Sequence, residues 1–271
     1  MITVITGAGA GIGAASALDL ARRGHQIVLV GRTPEKLRAV ADRAEQAGGS
    51  RPDTLVADFS SLDQVRRLAA DLLARYERID VLINNAGVMT PDRRTTVDGN
   101  EMMIQVNHLA PFLLTNLLLD RLTASSARVV TTSSRAGKSG RLDPADLSRE
   151  RRRWNGWLQY GDTKQANALF TVSLAERGLA ATCLHPGVLK TSFAEGTFFM
   201  KLVWLLPGMG EPPEAGAERI VHLATHPDGV DHPGRYFVKN APARVPERMS
   251  DPALAAALWD ASLAATGLAA S

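Results

Sequence analysis

The sequence predicts an α/β fold: a single domain on a doubly wound parallel β-sheet with helices on both faces. Three observations predict it. Short apolar runs alternate with segments of helical periodicity along all 271 residues. The runs are near-continuous in Val, Ile and Leu, as in strands buried on both faces, and nearly all are followed by a helical segment. No linker, repeat or shift of composition interrupts the rhythm, so residues 1–271 read as one domain although the length alone would allow two.

The first strand covers residues 2–6 and runs into a glycine-rich turn. Residues 12–23 place apolar side chains at helical spacing, and Gly24 suits the position that ends a helix. Residues 27–30 form a second buried strand, and residues 34–47 a helix stopped by Gly48-Gly49. A third strand covers 54–57, and a helix covers 61–76 with Ser60 or Ser61 available as its cap. The fourth strand, 80–83, precedes Asn84-Asn85-Ala86-Gly87. Residues 99–123 read as one long helix in which Pro111 predicts a kink or a local break. The fifth strand covers 128–132. Residues 135–156 are polar, rich in Gly and Arg, and read as a loop. A helix starts at Leu158 or Tyr160, runs to Arg177 and is ended by Gly178; the sixth strand covers 180–184. Residues 192–211 are apolar without clear periodicity. A helix over 214–225, a strand over 234–238 and a helix over 252–265 complete the chain. Crossovers between parallel strands should be right-handed.

Composition excludes several classes. Hydrophobic residues at 45% and charged residues at 22% are ordinary for a globular protein, so disordered and low-complexity readings fall. The single cysteine, Cys183, allows neither an internal disulfide nor a cysteine-based zinc site, and the six histidines show no metal-ligand spacing, so no metal is expected. A formal net charge of +3 is too weak to argue for nucleic acid. No signal peptide is visible, and the apolar run 198–207 is too short for a transmembrane segment, so a cytoplasmic location is expected.

Thr6-Gly7-Ala8-Gly9-Ala10-Gly11-Ile12-Gly13 joins the first strand to the first helix. Glycines let the backbone turn tightly and approach a pyrophosphate, and the helix start offers free N–H groups and a positive dipole end. Gly7, Gly9, Ala10, Gly11, Ile12 and Gly13 are therefore candidate dinucleotide contacts, rather than parts of an ordinary turn, because they open a βαβ unit. The second strand ends Gly31-Arg32-Thr33. A site for NAD normally places a carboxylate near this point. None is available, and Arg32 can donate two charge-assisted hydrogen bonds to a 2′-phosphate, so NADP(H) is the expected cofactor. The alternative is a solvated arginine, and Ala10 adds no second basic contact.

The spacing of Gly7, Gly11 and Gly13 after Thr6 resembles the short-chain dehydrogenase/reductase family. The resemblance continues in order through Asn84-Asn85-Ala86-Gly87, Asn107, Ser134, Tyr160-x-x-x-Lys164 and Pro186-Gly187. One such motif is unspecific; six in order are highly specific. Asn107-His108-Leu109-Ala110-Pro111-Phe112-Leu113-Leu114-Thr115, Lys164-Gln165-Ala166-Asn167 and His185-Pro186-Gly187 are most similar to the retinol-dehydrogenase-like branch. The gap of 26 residues from Ser134 to Tyr160 matches an insertion in that branch. The resemblance implies a Rossmann-like fold and a catalytic set of Asn107, Ser134, Tyr160 and Lys164.

Tyr160 and Lys164 are one helical turn apart and share a face. A nearby ammonium favours a phenolate, so the tyrosine pKa, ordinarily about 10, is expected to fall toward neutrality, where acid–base catalysis is efficient. The fifth strand ends Thr131-Thr132-Ser133-Ser134, at the carboxyl edge where such sheets place chemistry. The family pattern selects Ser134 to orient the substrate carbonyl, with Ser133 as fallback. The resemblance further implies that NADPH delivers hydride to the carbonyl carbon, that Tyr160 protonates the oxygen and that Lys164 holds the ribose. It gives Asn107 a water that connects the lysine to solvent, Asp58 and Phe59 the adenine, Asn85 and Gly87 the cleft wall, and Pro186, Gly187, Val188 and Thr191 the nicotinamide side. His108 and His185 read as structural.

Residues 192–211 hold Phe193, Phe198, Phe199, Met200, Trp204, Leu205, Leu206 and Met209. In this family the stretch covers the substrate, which points to a small lipophilic or aromatic carbonyl or alcohol as partner. Packing against the domain body and a weak peripheral membrane contact are the alternatives. The run Arg149-Glu150-Arg151-Arg152-Arg153 reads as a solvated loop. Monomer and homo-oligomer are both open. The rival to an oxidoreductase is a non-catalytic dinucleotide-binding sensor or scaffold protein of the same fold, because fold does not fix function.

Overall fold

The structure, a computed structural model, describes residues 1–48, 50–188 and 210–269. Eight strands form one sheet: β1 (Ile2–Thr6), β2 (Gln26–Gly31), β3 (Asp53–Val56), β4 (Val81–Asn84), β5 (Arg128–Thr132), β6 (Ala180–His185), β7 (Tyr236–Val238) and β8 (Ala241–Pro242). Their order is β3-β2-β1-β4-β5-β6-β7-β8, parallel except for the antiparallel pair β7–β8. The two-residue β8 is absent from the sequence expectation; two residues carry no periodicity.

Alternation along each strand builds two cores. Val4, Val28, Leu82 and Val129 face one layer, where they meet Val65, Leu68 and Leu72 of α3 (Leu62–Arg75) and Phe170 and Leu174 of a later helix. Their neighbours Ile5, Ile27, Leu29, Ile83 and Val130 face the other layer. That layer holds Ala17 and Leu20 of α1 (Gly11–Arg22) and Leu37 and Val40 of α2 (Pro34–Gly48). The reversal of strand order lies at β1, between β2 and β4, which opens a crevice at the carboxyl ends.

The helix expected over 99–123 is divided. Its first turn, α4 (Met102–Ile104), is capped by the buried Glu101 carboxylate, which accepts the N–H groups of Met103 at 2.9 Å and Ile104 at 3.0 Å. A π turn follows at Gln105–Leu109, then α5 (Ala110–Leu117) and α6 (Leu119–Ala124). The break thus precedes Pro111, which sits in the first turn of α5, where its missing N–H matters little.

The stretch 135–156 folds into two short 3₁₀ turns, Arg135–Ser139 and Pro144–Asp146. The run 149–153 is not simply solvated. Arg149 is 6% exposed, and its Nη2 lies 2.7 Å from Oδ2 of the buried Asp162. Arg152 Nε lies 2.9 Å from Asp146 Oδ2. Two of the arginines therefore pin this stretch to α7 (Gly156–Glu176), which starts earlier than the sequence suggests because the Asn155 side chain caps it, accepting from Leu158 N at 3.0 Å. After β6 come α8 (Pro213–Thr225), α9 (Asp228–Asp231) and, after β8, α10 (Pro252–Thr266). The substrate-covering segment expected at 192–211 and Thr191 fall almost wholly outside the described residues. No helix among the described residues is long and apolar enough to cross a membrane.

Candidate active site

The turn after β1 is shaped by glycine at two kinds of position. Gly7 and Gly11 have φ of +68° and +56°, which side chains other than glycine rarely adopt. A Cβ on Gly13 would stand 2.4 Å from the Gly7 carbonyl oxygen. The turn therefore packs closely under α1. Helix α1 starts after Ala10, and no described side chain caps it, so its first N–H groups face outward to an external acceptor. This cradle fits a pyrophosphate.

Thr6 ties the turn to β4. Its Oγ1 accepts Asn85 N at 3.0 Å and Ala86 N at 3.1 Å and donates to Ile83 O at 3.2 Å. Asn85 Nδ2 donates to Thr6 O at 3.1 Å, and Thr132 Oγ1 donates to Asn85 Oδ1 at 3.3 Å. Three strand ends are thus held in register around Asn85, with Gly87 half-buried beyond it. Asp58 is engaged in its own turn: its carboxylate accepts Ser60 N at 2.9 Å and Ser60 Oγ at 2.8 Å, and Phe59 is buried behind it.

Arg32 is exposed at the end of β2. A second basic residue, absent from the sequence reading, joins it. Lys36 Cβ lies 3.3 Å from where a Cβ of Gly9 would stand. The signal was present: Lys36 stands four residues after Arg32, in the first turn of α2.

Asn107 occupies the π turn. Its Oδ1 accepts Val88 N at 2.7 Å, and its Nδ2 donates to Val88 O and to Thr163 Oγ1, both at 3.0 Å. It fastens the chain leaving β4 to α7. One residue on, Lys164 is buried, and its Nζ donates to Thr132 O at 3.1 Å. The ammonium lies 5.6 Å from the centroid of the Tyr160 ring. Ser134 hydrogen-bonds the Tyr160 phenol, whereas Ser133 Oγ donates to the backbone oxygen of Lys164 at 2.7 Å. The structure thus brings Ser134, Tyr160 and Lys164 together and uses the fallback Ser133 to dock β5 on α7.

The expected lowering of the tyrosine pKa is not what this environment gives. Burial raises the Tyr160 phenol above its ordinary value, and the Ser134 hydrogen bond opposes it. Burial also brings the Lys164 amine down to about 8. One low-dielectric pocket disfavours both charges, and that outweighs their helical proximity.

The two histidines are structural in their contacts. His108 is fully buried with Nε2 2.9 Å from Ser262 Oγ, and burial holds its pKa at about 3. His185 is held at about 4 by burial and by the charges of Arg135 and Arg219. Beside it, Arg219 Nη1 donates to Pro186 O at 2.5 Å and pairs with Glu211 at 2.6 Å, while Glu211 N donates to Val188 O at 2.7 Å. Gly187, with φ of +108°, lets Arg219 approach; a Cβ there would lie 2.3 Å from its Nη1. Sequence reasoning also missed Glu101 and Gln159. The Gln159 amide donates to Glu101 Oε2 at 2.9 Å and so couples the cap of α4 to the residue before Tyr160.

A family model described as short chain dehydrogenase matches residues 1–199. A protein of Streptomyces sp. (strain C5), provisionally named a daunorubicin C-13 ketoreductase, is 42% identical over 97% of this chain and 92% of its own. Human retinol dehydrogenase 13 is 39% identical over 98% of this chain and 84% of its own. Among solved structures, a protein of Escherichia coli CFT073, provisionally described as a short chain dehydrogenase and complexed with NADPH, superposes with a TM-score of 0.70 at 26% identity, covering 89% of this chain and 96% of that one. With an eight-stranded Rossmann-like sheet beneath and these matches along most of its length, the chain belongs to the short chain dehydrogenase family, similar to its retinol-dehydrogenase-like members.

Proposed function

We propose that this protein is an NADP(H)-dependent oxidoreductase that interconverts a carbonyl and an alcohol on a lipophilic or aromatic small molecule. The observation that carries this reading is the meeting of Ser134, Tyr160 and Lys164 beside the glycine turn, at the carboxyl ends of the strands. The cradle of Gly7, Gly9, Ala10, Gly11, Ile12 and Gly13 holds the pyrophosphate, Arg32 and Lys36 the 2′-phosphate, and Lys164 a ribose hydroxyl. Asp58 and Phe59 border the adenine, Asn85 and Gly87 line the wall of the cofactor cleft, and Pro186, Gly187 and Val188 line the nicotinamide side. When bound, the nicotinamide supplies hydride to a carbonyl carbon or takes it from an alcohol carbon.

The chain's own groups handle the oxygen and its proton. The Ser134 hydroxyl positions the substrate oxygen by hydrogen bonding. The Tyr160 hydroxyl gives its proton to that oxygen on reduction and recovers it on oxidation. A phenol that stays protonated through the neutral range is ready to donate. Lys164, at about 8, exchanges protons near neutrality and compensates the phenolate that reduction leaves behind. Asn107 fixes the distance between α7 and the cleft floor.

The names of the Streptomyces and human relatives support carbonyl–alcohol chemistry, and the NADPH complex supports the cofactor. The test is a panel of ketones, aldehydes and alcohols followed at the NADPH absorbance, with NADH in parallel. Turnover with NADPH on lipophilic members supports the reading. Nucleotide binding without turnover across the panel would favour a sensor or scaffold instead.

A further inference from the structure

Three of the six histidines gather at the amino-terminal edge of the sheet, remote from the catalytic groups. His222 lies in the last turn of α8 and His226 just after it, one helical turn apart. Asp228 opens α9, and Pro227 turns the chain between them. His222 Nε2 lies 2.7 Å from Asp228 Oδ2, and His226 Nδ1 lies 3.2 Å from the same atom. His232 Nε2 is 4.0 Å from Asp228 Oδ1. The ligand atoms of His222, His226 and Asp228 all lie within 4.8 Å of one another.

We propose that this cluster binds one divalent transition-metal ion of borderline softness, Zn²⁺ being the type, through His222, His226 and Asp228, with water at the fourth position. Two imidazoles and a carboxylate form a nitrogen–oxygen set suited to Zn²⁺, which takes such ligands tetrahedrally at about 2.0–2.2 Å. That geometry separates neighbouring donor atoms by about 3.3 Å, close to the two short separations seen here. His226 is half-exposed, 52% by side chain, so rotation of its ring can close the widest gap. The free carbonyls at the end of α8 also favour a cation. Among neighbouring charges, Arg128 of β5 donates to His226 O at 2.6 Å, and Asp231 of α9 offsets its charge. The sequence reading missed the pattern because the spacing His-x-x-x-His becomes meaningful only once Asp228 folds back against it.

The site joins α8 to the segment leading into β7. The 13 residues of α8 put it about 20 Å from the Glu211 end of the helix, so the ion would brace the fold and not take part in turnover.

The experiment is calorimetric titration of ZnCl₂ into the purified full chain after treatment with chelator. One saturable equivalent in the micromolar range is expected. Co²⁺ in place of Zn²⁺ should give the visible absorption of a tetrahedral ion. His226→Gln and the double variant His222→Gln with His226→Gln should each weaken binding at least about tenfold and lose that absorption, while oxidoreductase turnover is unchanged. His226→Gln alone, at an exposed position, keeps the test informative if the double variant folds poorly. No saturable binding, or equal binding in the native chain and a folded variant, overturns the proposal.

Discussion

Tyr160 and Lys164 share a buried pocket whose low polarity disfavours both charges, so in the proposed reaction the phenol, and not a resting phenolate, is the proton donor. Replacing Tyr160 with Phe removes that hydroxyl and little else. Turnover should fall by about 10²–10⁴-fold while the thermal midpoint and nucleotide affinity stay near native values. A rate close to native would refute the assignment. Other buried groups set the acid limit of stability. His185 and His108 are held neutral at about 4 and about 3, and burial lowers His25 as well. The unfolded chain titrates its histidines near about 6.5, so between about pH 6.5 and 4 it binds more protons than the native state. Stability therefore rises with pH across this window and falls on acidification. The urea midpoint should be lower at pH 5 than at pH 7, and His185→Gln should flatten the difference; a midpoint that does not move would contradict it. Asp80 and Asp146, held below the usual carboxylate range, add their losses only at lower pH. The motif residues stood out in the sequence because their types and spacings were specific. Glu101 and Gln159 did not, because their significance is made by contacts between elements distant in sequence.

Helices and strands were legible wherever an apolar stripe ran unbroken. Strand β5 matches residue for residue, and α8 differs from the expected span by one residue. The long helix before β5 failed at a detail that periodicity cannot carry. Its apolar pattern continues through the π turn, and the proline that drew attention lies beyond the break. The stretch 135–156 failed for another reason. Its charge suggested solvation, but Asp162 on α7 offers a buried partner that only the folded chain provides. Replacing Arg149 with Ala removes the nearer of the two guanidinium groups beside that carboxylate, leaving Arg152 Nη1 at 3.4 Å, and should cost about 1–3 kcal/mol of unfolding free energy. Adding Asp162→Asn should recover part of the loss, and denaturant titration of the single and double variants would show it. A loss for Arg149→Ala below about 1 kcal/mol would place the pair among surface ion pairs instead.

The two edges of the sheet carry different clusters of side chains. Its carboxyl edge gathers the glycine turn, Asn85, Ser134 and Tyr160, and the strand order made this edge legible as soon as the alternation of strands and helices was recognised. The charge balance at the end of β2 sets the expected preference between cofactors. Catalytic efficiency should be higher with NADPH than with NADH, and Gly31→Asp with Arg32→Ala should reverse the order. The new Cβ at position 31 would meet the Leu37 side-chain tip at 3.1 Å, a contact a flexible leucine can yield. A native preference for NADH would refute this reading. The clamp of Arg219 on Pro186 and Glu211 has a wider consequence. Because Glu211 N bonds Val188 O, the chain leaves the site and returns to it through one doorway. Val188 and Glu211 are thus held beside Pro186 as one fixed frame: Arg219→Ala should loosen both at once, lowering the thermal midpoint and the nucleotide affinity together, and a variant that changes neither would refute this consequence.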